Sequence, residues 1–321
     1  MKKLLALMSI IAIALTSLSG GTEGVLKASE KNMKAAFELI SDMHIDSEEP
    51  VVKGIVKKGL GDIKNAKCKI NGIVVAGDIT NYGDASSLDT FYKIMKGVCS
   101  GERLIVAAGN HDIGHAEDRG LSNSRARKNF ISKYNKYTGR KADKIYYSAK
   151  IDGYTFITLS DESKDNWDAL TVSEQQLKFL DSELKKTGGS KKPVFVICHW
   201  PANDPHGLKG IDDDMVMDSS VSKKIHRILK KYKNVFYISG HAHMGINSGF
   251  TQKNTEVKYV STLGGVNYVN LPSFGLVNRY GVPWSCTGVH MEIYKDKVVF
   301  RPRNYSSGKW FADCDAVVKL K

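Results

Sequence analysis

Five short clusters in the sequence contain side chains of the types that bind divalent metal ions. They are Asp42-Met-His44, Gly77-Asp78, Gly109-Asn110-His111-Asp112, His199-Trp-Pro201 and Gly240-His241-Ala-His243. Asp, Asn and His offer oxygen and imidazole nitrogen donors, which suit a hard or borderline divalent ion without any thiolate. Two ions about 3.5–4 Å apart need a bridging group, and a carboxylate has two oxygens for that purpose. We predict Asp78 as the bridge.

Each cluster alone also has an ordinary structural explanation. Asp and Asn favour turns, so Asp42 and Asn110 fit turns at strand ends. A lone histidine such as His199 after an apolar strand is commonly a satisfied core residue. The combination favours a metal site, because five of the nine histidines lie in these clusters and each cluster follows an apolar segment.

The apolar segments predict the strands that position the clusters. They are short, continuous and rich in Val, Ile and Phe, as expected of strands buried on both faces: 36–41, 70–76, 103–108, 193–198 and 235–239. Ligand sites in open α/β sheets form at the carboxyl ends of strands. The five distant clusters are therefore expected to converge on one crevice.

Helical patterns lie between these strands. Residues 219–232 place apolar residues on one face at helical spacing. Thr171-Val-Ser-Glu174 predicts a capping box at the start of another helix, whose inward residues would be Leu177, Leu180 and Leu184.

Further strands complete a single α/β domain. Residues 146–151 and 154–159 predict a hairpin around Asp152-Gly153. Residues 257–261 and 268–271 are strand-like, and 289–294 and 297–301 predict a last hairpin.

In order and type, the clusters resemble the motifs of the calcineurin-like metallophosphoesterases. The matching pattern is Asp-x-His, Gly-Asp, Gly-Asn-His-Asp, His and Gly-His-x-His, from about residue 36 to residue 244, with a weaker continuation to Trp310. The resemblance implies an α/β fold in which a two-sheet β-sandwich is flanked by helices. We place this domain at residues 34–312.

The resemblance also implies a role for each matching residue. One metal would be held by Asp42, His44, Asp78 and His243, and the other by Asp78, Asn110, His199 and His241. His111 would lie beside the substrate phosphoryl group, with Asp112 orienting it as the second catalytic residue. Substrate contacts would come from Asn110 and His111. Independently of the resemblance, His206 and His115 lie in loops just past the metal-site segments, so both are candidate substrate contacts, and the alternative is that they are solvated loop residues.

The implied reaction is hydrolysis of a phosphodiester or phosphomonoester by a hydroxide bound to two divalent ions. Manganese is the expected metal, and iron or zinc are alternatives. His111 would donate a proton to the leaving oxygen. The partner would be a small-molecule or polymeric phosphoester, and the sequence contains no specific nucleic-acid-binding module. The alternative is a catalytically silent binding protein of the same fold, which should lack one of these residues.

One position departs from the pattern of a subgroup. Purple acid phosphatases have a tyrosine ligand three residues after the bridging aspartate, where this sequence has Asn81 and retains His44. The sequence therefore argues against the tyrosinate-bound iron subgroup. The segment Cys198-His199-Trp-Pro201 is similar to the His-x-Pro of cyclic-nucleotide and related phosphodiesterases in the family.

The first 20 residues predict export. Lys2 and Lys3 precede an apolar run at 4–18 and then small residues, which is typical of a secretory signal peptide at 1–20. The run is shorter than the roughly 20 residues of a membrane-spanning helix, although an uncleaved anchor is the alternative. We expect a secreted or extracytoplasmic protein without a transmembrane span after cleavage.

Composition and charge are those of a globular protein. Of the 321 residues, 42% are hydrophobic and 25% are charged, and the formal net charge is +13. The lysines are spread along the sequence, so we interpret the charge as solubility rather than as a basic face for anionic wall polymers. The five cysteines include no CxxC pair, which argues against a cysteine zinc site and favours buried thiols.

Overall fold

A computed structural model describes residues 32–115, 120–163, 169–187, 191–209, 213–246, 251–252, 255–279 and 284–321. The predicted signal segment at 1–20 lies outside the described residues. No helix in these ranges is sufficiently long and apolar to cross a membrane.

The strands form two mixed sheets and a small two-stranded ribbon. In chain order they are β1 (Ala35–Ile40), β2 (Gly72–Ala76), β3 (Leu104–Ala107), β4 (Tyr147–Ile151), β5 (Tyr154–Thr158), β6 (Val194–Ile197), β7 (Val235–Ser239), β8 (Thr251–Gln252), β9 (Thr255–Glu256), β10 (Val260–Leu263), β11 (Val266–Asn270), β12 (Thr287–Ile293), β13 (Lys297–Asn304), β14 (Lys309–Trp310) and β15 (Ala316–Lys319).

Six α-helices are present among the described residues. They are α1 (Pro50–Lys64), α2 (Ala85–Lys96), α3 (Asn110–Ile113), α4 (Asn123–Thr138), α5 (Glu174–Lys186) and α6 (Ser219–Leu229). Glu49 caps α1 by accepting hydrogen bonds from Val51 N and Val52 N, and Pro50 occupies the first turn, where a missing N–H costs nothing.

The first sheet has the order β14-β13-β12-β1-β2-β3, and β15 also pairs with β13. Strands β1, β2 and β3 are parallel, whereas β12 runs antiparallel to β1 and pairs Val289 with Leu39. The second sheet has the order β10-β11-β7-β6-β5-β4, and β5, β6, β7 and β11 are parallel. Both sheets therefore present several parallel strand ends on one edge.

The sheets pack face to face with helices on both outer surfaces. The inner layer joins residues of the two sheets, such as Phe37 and Leu39 with Phe195 and Phe236. Helices α1, α2 and α4 cover the first sheet, and α5 and α6 cover the second. This arrangement confirms the predicted two-sheet sandwich flanked by helices.

The predicted hairpins are confirmed. Strands β4 and β5 pair antiparallel around Asp152 and Gly153, whose φ values of 48° and 79° are those of a two-residue turn with left-handed backbone. Strands β12 and β13 form the last hairpin, with Met291 opposite Phe300.

Two local predictions are wrong. Helix α5 is capped by Ser173, which accepts a hydrogen bond from Gln176 N, and not by Thr171, because the Thr171 backbone is bound to Asp161 and Glu162. Residues 257–259 are not part of a strand: β10 starts at Val260, and the Lys258 N–H donates to the carbonyl oxygen of His206 in a loop.

Candidate metal centre

The five clusters meet because each follows the carboxyl end of a parallel strand. Asp42 and His44 follow β1, Asp78 follows β2, and Asn110 follows β3 in the first sheet. His199 follows β6, and His241 and His243 follow β7 in the second sheet. The donors thus come from both layers of the sandwich.

One group of donors contains Asp42, His44 and His243, beside Asp78. His243 Nε2 lies 3.2 Å from Asp42 Oδ1 and 3.1 Å from His44 Nε2. His44 Nε2 lies 3.7 Å from Asp78 Oδ2. These donors are close enough to share one ion.

A second group contains Asp78, His199 and His241, beside Asn110. His199 Nε2 lies 3.1 Å from Asp78 Oδ2 and 3.3 Å from His241 Nδ1. His241 Nδ1 lies 3.1 Å from Asn110 Oδ1. Asp78 Oδ2 therefore faces both groups, which is the geometry expected of a bridging carboxylate.

The donor set fits a pair of divalent ions. Ligand atoms about 2.0–2.2 Å from one ion lie about 2.9–3.6 Å apart in octahedral or tetrahedral geometry, which matches most of these spacings. His44 and His243 also direct Nε2 atoms at each other, an arrangement that a shared cation explains. His241 Nε2 is buried without a hydrogen-bond partner among the described residues. A buried polar atom normally has a partner, so this nitrogen also calls for a polar ligand.

Hydrogen bonds behind the donors fix the tautomers of two imidazoles. His44 Nδ1 lies 3.0 Å from Asn81 Oδ1, and His199 Nδ1 lies 2.7 Å from the carbonyl oxygen of Ala76. Both partners are acceptors, so Nδ1 carries a proton in each ring and Nε2 is the nitrogen that faces the centre. The two rings are held ready to bind a cation.

The backbone at the centre is strained. Asp42, His44, Asp78, His241 and His243 have φ values between 45° and 67°, in the left-handed region that residues with a Cβ rarely adopt.

Two glycines allow neighbouring segments to approach the donors. A Cβ on Gly109 would lie 2.1 Å from Asp78 Oδ1, and a Cβ on Gly240 would lie 2.4 Å from Asp42 Oδ2. Both positions therefore exclude any larger side chain.

Burial and mutual charge set the protonation of the donors. Burial would raise the pKa of Asp42, but His243 and His199 outweigh it and lower the pKa to about 2. Burial would also raise the pKa of Asp78, which His199 and His111 nevertheless hold well below its usual value. The carboxylates therefore stay ionised.

The histidines differ in the sign of their shifts. Burial lowers the pKa of His44 to about 4 and that of His241 to about 3. For His199 burial is outweighed by the carboxylates of Asp78 and Asp42, which raise its pKa to about 9. The imidazoles of His44 and His241 are thus neutral and can bind a cation, whereas that of His199 is positively charged and neutralises the carboxylates.

Asp112 does not orient the His111 ring, contrary to the expectation from the sequence. Its buried carboxylate accepts hydrogen bonds from Ile79 N, Thr80 N, Gly109 N and the Thr80 hydroxyl, at 2.8–3.2 Å. Burial and the nearby Asp78 raise the pKa of Asp112 to about 6. Asp112 therefore ties the loop after β2 to the loop after β3.

Asn81 takes the orienting role. The backbone carbonyl oxygen of Asn81 lies 3.1 Å from His111 Nδ1. The His111 backbone N–H donates to Asp78 Oδ1 at 3.0 Å. The half-buried His111 ring also packs edge-on against His44, with centroids 4.7 Å apart. His115 stacks on the His111 ring, with centroids 3.9 Å apart and planes 3° from parallel.

His206 is not brought to the centre. It is buried, with Nδ1 3.0 Å from the carbonyl oxygen of Lys258 and its ring against Tyr268. Burial lowers its pKa to about 4. The loop that carries it folds back onto the second sheet, so it is neither the substrate contact nor the solvated residue considered from the sequence.

Several supporting residues were missed by sequence reasoning. The Ser273 hydroxyl donates to the carbonyl oxygen of Asp42, and the Asn270 amide donates to that of Gly240. Ser273 lies in the weaker continuation of the resemblance, at Leu271-Pro272-Ser273, and Asn270 directly precedes it, but the sequence assigned neither residue a role. Asn81 lay beside a motif, and its spacing from Asp78 marked it only as a replaced tyrosine.

Comparisons with known proteins agree with this geometry. The family described as calcineurin-like phosphoesterase matches residues 38–245. A dimetal phosphatase from Danio rerio is similar in structure, with a TM-score of 0.61 and 16% identity over 90% of this chain and 100% of that chain. A purple acid phosphatase from yellow lupin has a TM-score of 0.59 and 14% identity over 89% of this chain and 53% of that chain.

A search of curated protein sequences gave no match. The match to the family covers more than half of the chain and includes all seven proposed metal ligands. The chain therefore belongs to the calcineurin-like phosphoesterase family.

Proposed function

We propose that the protein hydrolyses phosphate esters with two divalent metal ions bound at this centre. The observation that carries the proposal is a pair of donor groups that follow strands of both sheets, with Asp78 Oδ2 3.7 Å from His44 Nε2 of one group and 3.1 Å from His199 Nε2 of the other. One group would be Asp42, His44, Asp78 and His243, and the other Asp78, Asn110, His199 and His241. Manganese is the metal we propose first, with iron and zinc as alternatives. When bound, the ions would supply Lewis-acid charge for the phosphoryl group and the attacking water.

The protein's own contribution to the chemistry comes from His111. Its Nδ1 faces a carbonyl oxygen, which can only accept, so Nδ1 carries a proton and Nε2 is the atom left to exchange one. His111 also lies within reach of the His44 and Asp78 donors. We assign it to proton donation to the leaving oxygen, with Asn81 holding the ring at the correct angle.

The test is a metal-reconstitution assay. Protein stripped with a chelator would be reloaded with Mn²⁺, Fe²⁺ or Zn²⁺ and assayed on a nitrophenyl phosphomonoester and a bis-nitrophenyl phosphodiester. We expect activity to return with metal and to be lost in Asp42→Asn. Binding of about two ions per chain without turnover of either ester would instead support the silent binding protein.

Export belongs to this proposal as well. Its support is the sequence of residues 1–20. N-terminal sequencing of protein recovered outside the cytoplasm should show cleavage near Gly20, and an intact Met1 on cytoplasmic protein would contradict it.

A further inference from the structure

Lysines from four separate chain segments line one groove of about 1250 Å³. They are Lys34, Lys191, Lys192, Lys295, Lys297 and Lys321. The segments meet because Lys34 precedes β1, Lys191 and Lys192 precede β6, Lys295 lies in the β12–β13 turn, and Lys321 follows β15. Lysines that are scattered in the sequence are therefore clustered in space.

The groove lies at the far end of the sandwich from the metal centre. Lys34 stands before β1 and Asp42 after it. At about 3.3 Å per residue, the six residues of this strand separate the two by about 20 Å or more. One phosphate group cannot touch both sites.

Positive charge dominates the groove. Its six lysine side chains face two acidic side chains, Asp152 and Asp296, which leaves an excess of four positive side-chain charges. Asp152 is already hydrogen-bonded by the Asn71 amide. Lys34, Lys191 and Lys295 are exposed and form no ion pair with any described residue. Their charge is available to an anionic partner.

No aromatic ring is exposed in the groove for a base to stack on. Its two aromatic residues, Tyr154 and Tyr294, are buried, and Lys192 and Lys297 lie over their rings at 5.4 and 4.9 Å. The large exposed apolar side chains of the described residues, such as Val277 and Trp284, do not line it. The groove therefore presents lysine charge to a partner, without a ring for base stacking or a large exposed apolar side chain for insertion into lipid.

The shape selects among anions. The volume exceeds the roughly 300–1,000 Å³ of a small-molecule pocket, and the lysines line a concave surface that a flat bilayer cannot follow. We infer that the groove binds a linear chain of closely spaced phosphate groups, such as polyphosphate. It would hold such a polymer independently of the metal centre.

The test compares two triple variants with the same change in charge. Lys34→Glu/Lys191→Glu/Lys295→Glu alters the groove. Lys223→Glu/Arg227→Glu/Lys230→Glu alters an exposed basic face at α6 and serves as the control. Binding of fluorescein-labelled polyphosphate would be measured by anisotropy at physiological salt. We expect the groove variant to lose at least about tenfold in affinity and the control less than about threefold.

Three results would overturn the inference. Equal losses in both variants would mean attraction by net charge alone. Unchanged binding by the groove variant would place the site elsewhere. If anionic phosphatidylglycerol vesicles lose binding to the groove variant while polyphosphate does not, the face is a membrane surface. Nitrophenyl ester hydrolysis, measured in parallel, reports separately on the proposed function and on correct folding.

Discussion

At the scale of single residues, the metal centre combines strained backbone with fixed side chains. Left-handed backbone at a non-glycine residue costs of order 1 kcal/mol or more, and five donor residues adopt it. Such strain persists only where the surroundings over-determine it. The hydrogen bonds behind the donors supply part of that support, so the effects of substitution should depend on which contacts each residue makes.

Asp78 should matter to both ions and His44 to one. Asp78 Oδ2 is the atom that faces both donor groups. We expect Asp78→Ala to lose most of both metals and His44→Ala to lose mainly one, measured by elemental analysis of dialysed protein. Asp204→Ala, at an exposed aspartate outside the cluster, is the control. A fully loaded Asp78→Ala protein would rule out the bridge.

Asn81 should tune the metal through His44. Asn81→Ala removes the side-chain acceptor of His44 Nδ1 but keeps the carbonyl that faces His111. Loss of such a supporting partner typically weakens metal affinity about 10–100-fold. Chelator competition should show that loss, whereas reloaded protein at saturating metal should recover most of its rate. Unchanged affinity would mean that the Asn81 side chain has no part in holding the ligand.

His111 should act on the leaving group and not on the metals. General acid catalysis contributes about 10²–10⁴ in rate, but a nitrophenolate leaves readily without it. We expect His111→Ala to keep its metals, to hydrolyse nitrophenyl esters tolerably and to be much slower on alkyl or ribose esters. His226→Ala is the control histidine, because it pairs with Tyr268 outside the centre. Equal losses on both ester types would indicate charge stabilisation instead.

At the scale of elements, helix α1 shows how packing decides the effect of one methyl group. A Cβ on Gly59 would lie 2.1 Å from Cys286 Sγ and 2.7 Å from Phe274 Cζ, whereas a Cβ on Gly54 would meet nothing within 4 Å. Gly59→Ala should therefore destabilise the protein by about 1–3 kcal/mol through overpacking. Gly54→Ala should stabilise it by about 0.5–1 kcal/mol. Thermal unfolding of both variants at equal metal loading checks the signs, and a stabilised Gly59→Ala would contradict the packing.

Some of these elements could be predicted from the sequence and others could not. Strands buried on both faces, such as β2 and β7, were recognised because continuous Val and Ile runs have few other uses. The donor residues were recognised because the ends of parallel strands share one edge. Local hydrogen bonds were not predictable: Ser173 rather than Thr171 caps α5, since tertiary contacts to Asp161 and Glu162 decide the cap.

The sequence did not predict the role of Asp112 or the groove of lysines, for the same reason. Asp112 is adjacent to His111 in the sequence, yet its carboxylate points to the loop after β2. The groove unites segments that only the sheet topology brings together. Motifs therefore located the centre, but residues that act through contacts across elements required the structure.

At the scale of the whole molecule, a buried charged network joins the strands of the first sheet. His290 is buried, with Nδ1 2.7 Å from Glu38 Oε1 and Nε2 3.7 Å from Glu292 Oε1. Arg301 also binds Glu292, at 3.0 Å. Burial would lower the pKa of His290, but the two carboxylates outweigh it and raise the pKa. The positive charge of His290 thus stabilises β1 against β12.

This network predicts a pH dependence of stability. Because the folded pKa of His290 is raised, its contribution is complete below the ordinary histidine pKa of about 6.5 and is lost as pH rises through the folded value. The stability of the wild type relative to His290→Gln should therefore decline above about pH 6.5, measured by urea unfolding at equal metal loading. A difference that stays constant or grows with pH would show that His290 is not charged in the native state.

Strand β1 leads directly into the first two donors, Asp42 and His44, yet one of its edges is completed only by β12. A partly synthesised chain can pair β1 with β2. It cannot complete the other edge of β1 until residues 287–293 have been synthesised. Long-range pairing of this kind folds slowly. We therefore expect stalled chains that end before β12 to retain no metal, so the centre should assemble only after β12 has been synthesised.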